Sequence, residues 1–188
     1  MLGYAFCGSF CTMSASLSAM ERLISDGFEI QPIMSETAYT TDTRFHPARE
    51  FSDRVERITG RKIIHTVADA EPLGPKAPLD ALVIAPCTGN TLAKLAGGIT
   101  DTAVTMAAKA HLRCDRPLLI SLASNDAMSQ NLANIARLLT RKSVYFVRMT
   151  QDDPEKKPHS LVANMSEIPD ALAAAMQGTQ LRPIFREK

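Results

Sequence analysis

A doubly wound α/β fold around a Rossmann-like parallel sheet is what the sequence predicts, on three observations. Residues Ala81-Leu82-Val83-Ile84-Ala85 are apolar at every position, and Pro117–Leu122 nearly so; such runs suit parallel strands covered on both faces. Segments with helical spacing of apolar residues alternate with the strands. Strand ends are followed at once by Gly, Ser, Thr or Asn, the residues of tight turns and helix caps.

The elements follow in order. Gly3–Cys7 is a short apolar strand ending at Gly8-Ser9, and Thr12 or Ser14 caps a helix reaching about Asp26, with Leu17, Met20, Leu23 and Ile24 on one face. Gly27 stops that helix, and Phe28–Met34 is the second strand, with Pro32 placing it near a sheet edge or strand end. Strand, helix and strand with short links make a βαβ unit. Ser35–Phe45 is hydroxyl-rich, a polar helix follows over Ala48–Ile58, and Ala70–Pro78 is loop. After the strand at 81–85 come helices over Thr88–Leu95 and Thr102–His111. The strand at 117–122, a helix over Asp126–Leu139 and a last strand, Val144–Val147, follow. Thr150–His159 is a polar loop or flap with Pro154 and Pro158, and a helix over Glu167–Met176 precedes a short tail. No internal repeat or linker divides the chain, so its 188 residues are expected to form one domain.

Composition narrows the function. Apolar residues make up 45% and charged residues 22%, enough for a core without disulfides or metal. The formal net charge of +1 gives no basic field for nucleic acid or an anionic membrane, so any anion must be held locally. Cys7, Cys11, Cys87 and Cys114 are scattered, without metal-ligand spacing. That pattern, with no basic start or long apolar stretch at the N-terminus, fits a cytoplasmic protein with reduced thiols. No hydrolase or Walker motif is present, and His46, His65, His111 and His159 are isolated.

Chemistry is expected beyond the carboxyl ends of the strands. Four junctions qualify: Gly8 to Thr12, Ser35 to Thr43, Pro86 to Thr91, and Ser121 to Met128. Gly8 allows close backbone approach, and helix-start amides with the Ser9 hydroxyl suit a phosphate. Read alone, that segment is equally a tight turn before a capped helix, and Ser35–Thr43 a surface loop rich in cap residues. Together the junctions describe a site for a flat, phosphate-bearing polar ligand. The first lacks the GxGxxG spacing of a dinucleotide site.

The stretch Ala85-Pro86-Cys87-Thr88-Gly89-Asn90-Thr91-Leu92-Ala93-Lys94-Leu95-Ala96-Gly97-Gly98-Ile99-Thr100-Asp101, with the Gly8-Ser9 turn, resembles the flavoprotein family of homo-oligomeric flavin-containing cysteine decarboxylases. The resemblance implies an FMN-binding fold, with Ser9 and Ser35 near the phosphate. Asn90, Thr91 and the Ser121–Asn125 segment, Ser124 included, would lie near the flavin ring or the substrate. Gly8, Phe10, Thr37, Pro86 and Thr88 complete the expected cofactor-binding set. Two departures argue against cysteine decarboxylation: residues 70–76 hold no histidine where those enzymes carry one, and Leu122–Met128 replaces their substrate motif.

A narrower resemblance covers nearly the whole chain. Thr43-Arg44-Phe45, residues 70–80 (AEPLGPKAPLD), Thr88-Gly89-Asn90, Ser124-Asn125-Asp126-Ala127 and the Gln151–Pro158 segment are similar to the B subunits of dipicolinate synthases. That family acts with an NADP-dependent A subunit to oxidise dihydrodipicolinate to dipicolinate, pyridine-2,6-dicarboxylate, in the mother cell of sporulating bacteria. A dicarboxylate needs cations or amide donors; Arg44, Lys76, Lys156 and Lys157 are the candidates, Arg44 foremost for its bidentate fork. No catalytic residue is identified, though Glu71 and Asp126 are nominated as bases. Relatives of this fold build FMN sites at subunit contacts, so a trimer or dodecamer is expected. Two alternatives remain: a non-catalytic stabilising partner of the A subunit with a relic flavin pocket, and an FMN-dependent decarboxylase of a cysteinyl substrate.

Overall fold

In the computed structural model, which describes residues 1–186, three strands buried along their whole length form the centre of the sheet. These are β1 (Leu2–Phe6), β3 (Ala81–Cys87) and β4 (Leu118–Ser124). Between the first two in sequence, β2 (Ile30–Met34) pairs with the outer side of β1; β5 (Val144–Phe146) pairs with the first half of β4. All these pairings are parallel, in the order β2-β1-β3-β4-β5. The winding direction reverses between β1 and β3, which opens a crevice at their carboxyl ends. Pro32 breaks no ladder, because among the described residues the outer side of β2 carries a single bridge, from Ile64 to Ile33.

Right-handed crossovers in opposite winding directions put helices on both faces. Tyr4 and Phe6, two residues apart, share a face. The Tyr4 hydroxyl donates to the Ser16 carbonyl in α1 (Met13–Ser25) at 2.8 Å, and Ser16 Oγ donates to the Ala85 carbonyl at 2.5 Å. Helix α2 (Glu36–Thr40) is a single short turn, whereas α3 (Ala48–Thr59) brings Phe51 edge-on to Phe6, ring centroids 5.4 Å apart. The short α4 (Val67–Ala70) precedes β3. Helices α5 (Gly89–Gly97) and α6 (Ala103–Leu112) join β3 to β4; α7 (Leu132–Leu139) joins β4 to β5. Thr88 and Thr102 cap α5 and α6, each accepting the amide three residues on.

Three expectations need correction. The strand at 144–146 is not the last: β6 (Met149–Thr150) and β7 (Leu161–Ala163) form an antiparallel pair, and β7 pairs antiparallel with Ala123 and Ser124. The sheet is therefore mainly, not wholly, parallel, and the Pro-containing segment from 151 to 160 is the hairpin's connection. The helix expected from Asp126 begins at Leu132, because residues 125–131 form turns organised around Asp126, whose backbone carbonyl accepts from Ser129 and Asn131 and whose carboxylate accepts the Asn131 side-chain amide. The hydroxyl-rich segment contains α2, capped by Ser35. Helix α8 (Ile168–Met176) then packs back beside α1. No helix among the described residues is long and apolar enough to cross a membrane.

Candidate functional site

Three of the four expected junctions meet at the β1/β3 crevice. After β1 the chain turns at Gly8-Ser9 and runs through a 3-10 turn, Phe10–Thr12, straight into α1. Thr12 holds this turn: its amide and hydroxyl reach the Ser9 carbonyl at 3.0 and 2.9 Å, and its hydroxyl lies 3.1 Å from Ser9 Oγ. The amides of Gly8, Phe10 and Cys11 donate to no acceptor among the described residues. Free amides at the positive end of a helix dipole suit an anion. Gly8 is needed at close quarters, since a Cβ there would sit 3.2 Å from Thr37 Cγ2.

After β3, Thr88 Oγ1 accepts the Thr91 amide at 3.2 Å, which leaves Gly89 and Asn90 at the open start of α5. After β4, the Asp126 carboxylate accepts from the Ser124 hydroxyl and, at 2.8 Å, from the Asn131 side-chain amide. Between the three turns lies a cleft of about 720 Å³. Arg44 and Phe45 stand on its lining, the guanidinium 4.9 Å from the Phe45 ring centroid; Asp152 and Lys157 line it from the 151–160 connection. That connection is tied down where the Met128 amide reaches the His159 carbonyl at 2.9 Å.

Of the sequence-derived candidates, Gly8, Ser9, Phe10, Thr88, Asn90, Ser124 and Asn125 line this cleft, as do Arg44, Lys157 and Asp126. Ser35 is buried and its hydroxyl accepts the Ala38 amide at 3.3 Å, while Thr37 backs the Gly8 turn. Thr91 turns inward, its hydroxyl 3.4 Å from Cys7 Sγ, and so ties the start of α5 to the end of β1. Pro86 is buried in β3, and Ser121 is buried in β4 with Oγ 3.0 Å from Met165 Sδ. Neither is brought to the cleft. Lys156 is exposed on the 151–160 connection but lies off the lining. Lys76 and Glu71 lie in the connection feeding the amino end of β3, away from the crevice; there a Cβ on Gly74 would stand 2.6 Å from the Ala110 carbonyl oxygen. The AEPLGPK segment thus packs against α6. Lys94 and Asp101 of the long signature are also structural: Lys94 Nζ is 2.8 Å from both Asp101 carboxylate oxygens.

Phe45, Gly89, Asp152 and Ser160 also line the cleft, although the sequence did not single them out as site residues. Gly89 carried a signal in its place just after β3, and Phe45 and Asp152 lay in segments quoted for the resemblance; Ser160 carried none. A second groove, about 500 Å³, is walled chiefly by apolar side chains, Met128, Leu132, Met149 and Phe185 among them. It offers few donors for an anion, so the polar cleft is the better candidate.

Two consequences can be measured. Lys157 Nζ bonds Asp152 at 2.7 Å; that bond, with help from Ser160, holds the Asp152 carboxyl below its ordinary value and raises the Lys157 ammonium. A lowered carboxyl stabilises the folded form above its unfolded pKa of about 4, and loses that contribution as pH falls through the lower folded value. A raised ammonium keeps its contribution below about 10.4 and loses it above. The 151–160 connection is therefore expected to stay docked from about pH 5 to 9 and loosen in acid. Hydrogen exchange at the Lys157 and Ser160 amides, corrected for intrinsic rates, should lose protection as pH falls below about 4; unchanged protection would exclude the pair as the tether.

The thiols differ in the same way. Burial pushes Cys7 up to about 11, and buried Cys87 rises well above its ordinary value, with Cys7 beside it contributing. Cys11 is exposed at the cleft. Brief alkylation at neutral pH is expected to modify Cys11 and spare Cys7 and Cys87, since only an accessible thiolate reacts. Peptide mapping that found Cys7 modified in the native protein would contradict the packing described for the β1 end.

A mainly parallel, doubly wound sheet with a donor-lined cleft at its switch point defines the class, and the chain belongs to the flavoprotein family, whose profile matches residues 2–180. It is 42% identical over 186 residues to the dipicolinate synthase B subunit of Bacillus subtilis (strain 168), covering 99% of this chain and 93% of that one. The crystal structure of the dipicolinate synthase B subunit from Bacillus halodurans C superposes with a TM-score of 0.91 at 42% identity, covering 100% of this chain and 96% of that chain. The FMN-dependent cysteine decarboxylase SpaF, at 22% identity and a TM-score of 0.69 over 94% of this chain and 95% of that chain, shares the fold.

Proposed function

We propose that the chain is the B component of a dipicolinate synthase, working with an NADP-dependent A subunit to oxidise dihydrodipicolinate to pyridine-2,6-dicarboxylate during sporulation, in the mother-cell cytoplasm. The observation that carries the reading is the meeting of three strand-end turns in one polar cleft, in a chain so similar to named B subunits.

The residues present fit FMN. The free amides of Gly8, Phe10 and Cys11, with Ser9, form a cradle for its phosphate. Thr88, Asn90, Ser124 and Asn125 supply polar edges for a flat ring. When bound, such a group supplies a ring able to accept a hydride. Arg44 and Lys157 would hold the two carboxylates of the substrate, Arg44 by its fork and Lys157 as a point charge. Aromatisation also requires removal of a proton; Asp126, at the β4 end of the cleft, has both carboxylate oxygens taken by Ser124 and Asn131, so no base on this chain is assigned. A homo-oligomer, trimer or dodecamer, is part of the same proposal.

Co-expression with the A subunit tests it. Formation of pyridine-2,6-dicarboxylate is expected from the two chains together and from neither alone. Full activity of either chain by itself would defeat the two-component reading. A colourless chain that rejects added FMN yet activates the A subunit would replace it with a non-catalytic partner.

A further inference from the structure

Four side chains at and just beyond the carboxyl end of β4 form a hydrogen-bond chain whose direction is fixed. Asn134 Nδ2 donates to Asn131 Oδ1 at 3.0 Å, and Asn131 Nδ2 donates to Asp126 Oδ2 at 2.8 Å. The other carboxylate oxygen, Oδ1, takes the hydroxyl hydrogen of Ser124. An ionised carboxylate only accepts, so each amide beside it must present its nitrogen and the serine its single hydrogen. Flipping Asn131 would set its carbonyl against the carboxylate and its nitrogen against that of Asn134.

Rotation is blocked as well. Gly89 stands over the cluster so closely that a Cβ would lie 2.5 Å from Ser124 Oγ, 2.7 Å from Asn131 Nδ2 and 2.8 Å from Asp126 Oδ1. Ser124 and Asn131 are buried, and the Asp126 bond is the one hydrogen bond of Ser124 Oγ among the described residues. Ser124 nonetheless lines the cleft. With its hydrogen committed to Asp126, its hydroxyl can offer a ligand lone pairs alone.

We propose that Ser124 is a specificity-determining acceptor for a ring N–H of the bound ligand, with Asp126 as the positioning residue that locks its hydroxyl. A phosphate or carboxylate oxygen has no hydrogen to offer there and meets the Asp126 charge besides. The anionic end of the ligand therefore sits at the Gly8–Cys11 turn of β1, and the N–H end lies two strands away at β4, roughly 10 Å across the sheet. Resting on the flavin reading above, this assigns the imide N–H of the FMN ring to Ser124. A dihydropyridine N–H between two carboxylates fits less well, since its flanking charges would face Asp126.

The test compares FMN with N3-methyl-FMN, which differs only in lacking that hydrogen and carrying a methyl in its place. Titration of each into the wild-type chain, Ser124→Ala and Asp126→Asn, followed by flavin fluorescence, reads the preference as a ratio. The wild type should favour FMN about tenfold or more, the usual scale for losing one buried hydrogen bond. In Ser124→Ala the preference should fall to within about threefold, and in Asp126→Asn, where the hydroxyl is released, to an intermediate value. A purely structural lesion would weaken both flavins alike and leave the ratio unchanged, which would overturn the assignment. Equal binding of both flavins by the wild type would overturn it too, while leaving the flavin reading intact. Rejection of both by the wild type would remove the flavin reading and this inference together.

Discussion

Ser9→Asp is expected to weaken FMN binding about a hundredfold without weakening the fold. The substitution puts a carboxylate at the turn where the amides of Gly8, Phe10 and Cys11 stand free ahead of α1. The new carboxylate takes those donors itself, as an acid at a helix start does, and is worth about 0.3–1 kcal/mol in stability. The phosphate then loses charge-assisted bonds of about 1.5–3 kcal/mol and meets a like charge in their place. Fluorescence titration and a thermal melt of the same protein separate the two effects. Affinity within about threefold of wild type would remove the Gly8–Thr12 turn from the phosphate site.

Gly89→Ala is expected to cost about 3 kcal/mol of folding stability and to abolish ligand binding. The added methyl would enter the Ser124–Asp126–Asn131 cluster at under 3 Å from all three side chains. None can swing clear, because each is bonded to another. Relief requires α5 to lift off the end of β4 or the half-buried Asp126 carboxylate to lose a donor, and both open the cleft floor. Gly97→Ala in the same helix is the control, since its Cβ would meet nothing nearer than Ile99 at 3.8 Å. There alanine should be neutral or stabilise by up to about 1 kcal/mol. Urea midpoints for the two variants that coincided would show that the contact at Gly89 is not tight.

The layout of the sheet was legible because parallel strands buried on both faces leave no polar face to write alternation, and 81–85 and 117–122 carry that imprint. Helix starts were legible at Thr88 and Thr102, which prove to be the caps, whereas Thr12, read as a cap, makes no side-chain bond to a helix amide. The β6–β7 pair was not legible. Strands of two and three residues are too short to show a period, and their existence depends on β4 extending four residues beyond its pairing with β5, so that Ala123 and Ser124 can meet them. The late start of α7 was hidden too, because Asp126 reads as a cap residue in sequence but spends its carboxylate on Ser124 and Asn131.

Within the site, residues directly after strands were found by rule, whereas wall residues from distant loops were not. Ser121 shows the limit of reading a segment as a unit: three residues before Ser124, it is still inside the strand and buried. Lys76 shows another. A loop that precedes a strand delivers its residues to the amino end of the sheet, so its charge could be read from the sequence but its distance from the crevice follows only from the direction of β3. Lys156 and Lys157 are adjacent, yet one is exposed off the cleft and the other is paired with Asp152 on its lining; composition cannot separate them.

The structure of the FMN-loaded chain is the decisive measurement. The phosphate should lie within hydrogen-bond reach of the Gly8, Phe10 and Cys11 amides, with the ring between Asn90 and Ser124 and its imide edge toward β4. Flavin found instead in the apolar groove beside Met128 and Phe185, or a cleft that stays empty at saturating FMN, would contradict the claim that these three turns build one nucleotide site.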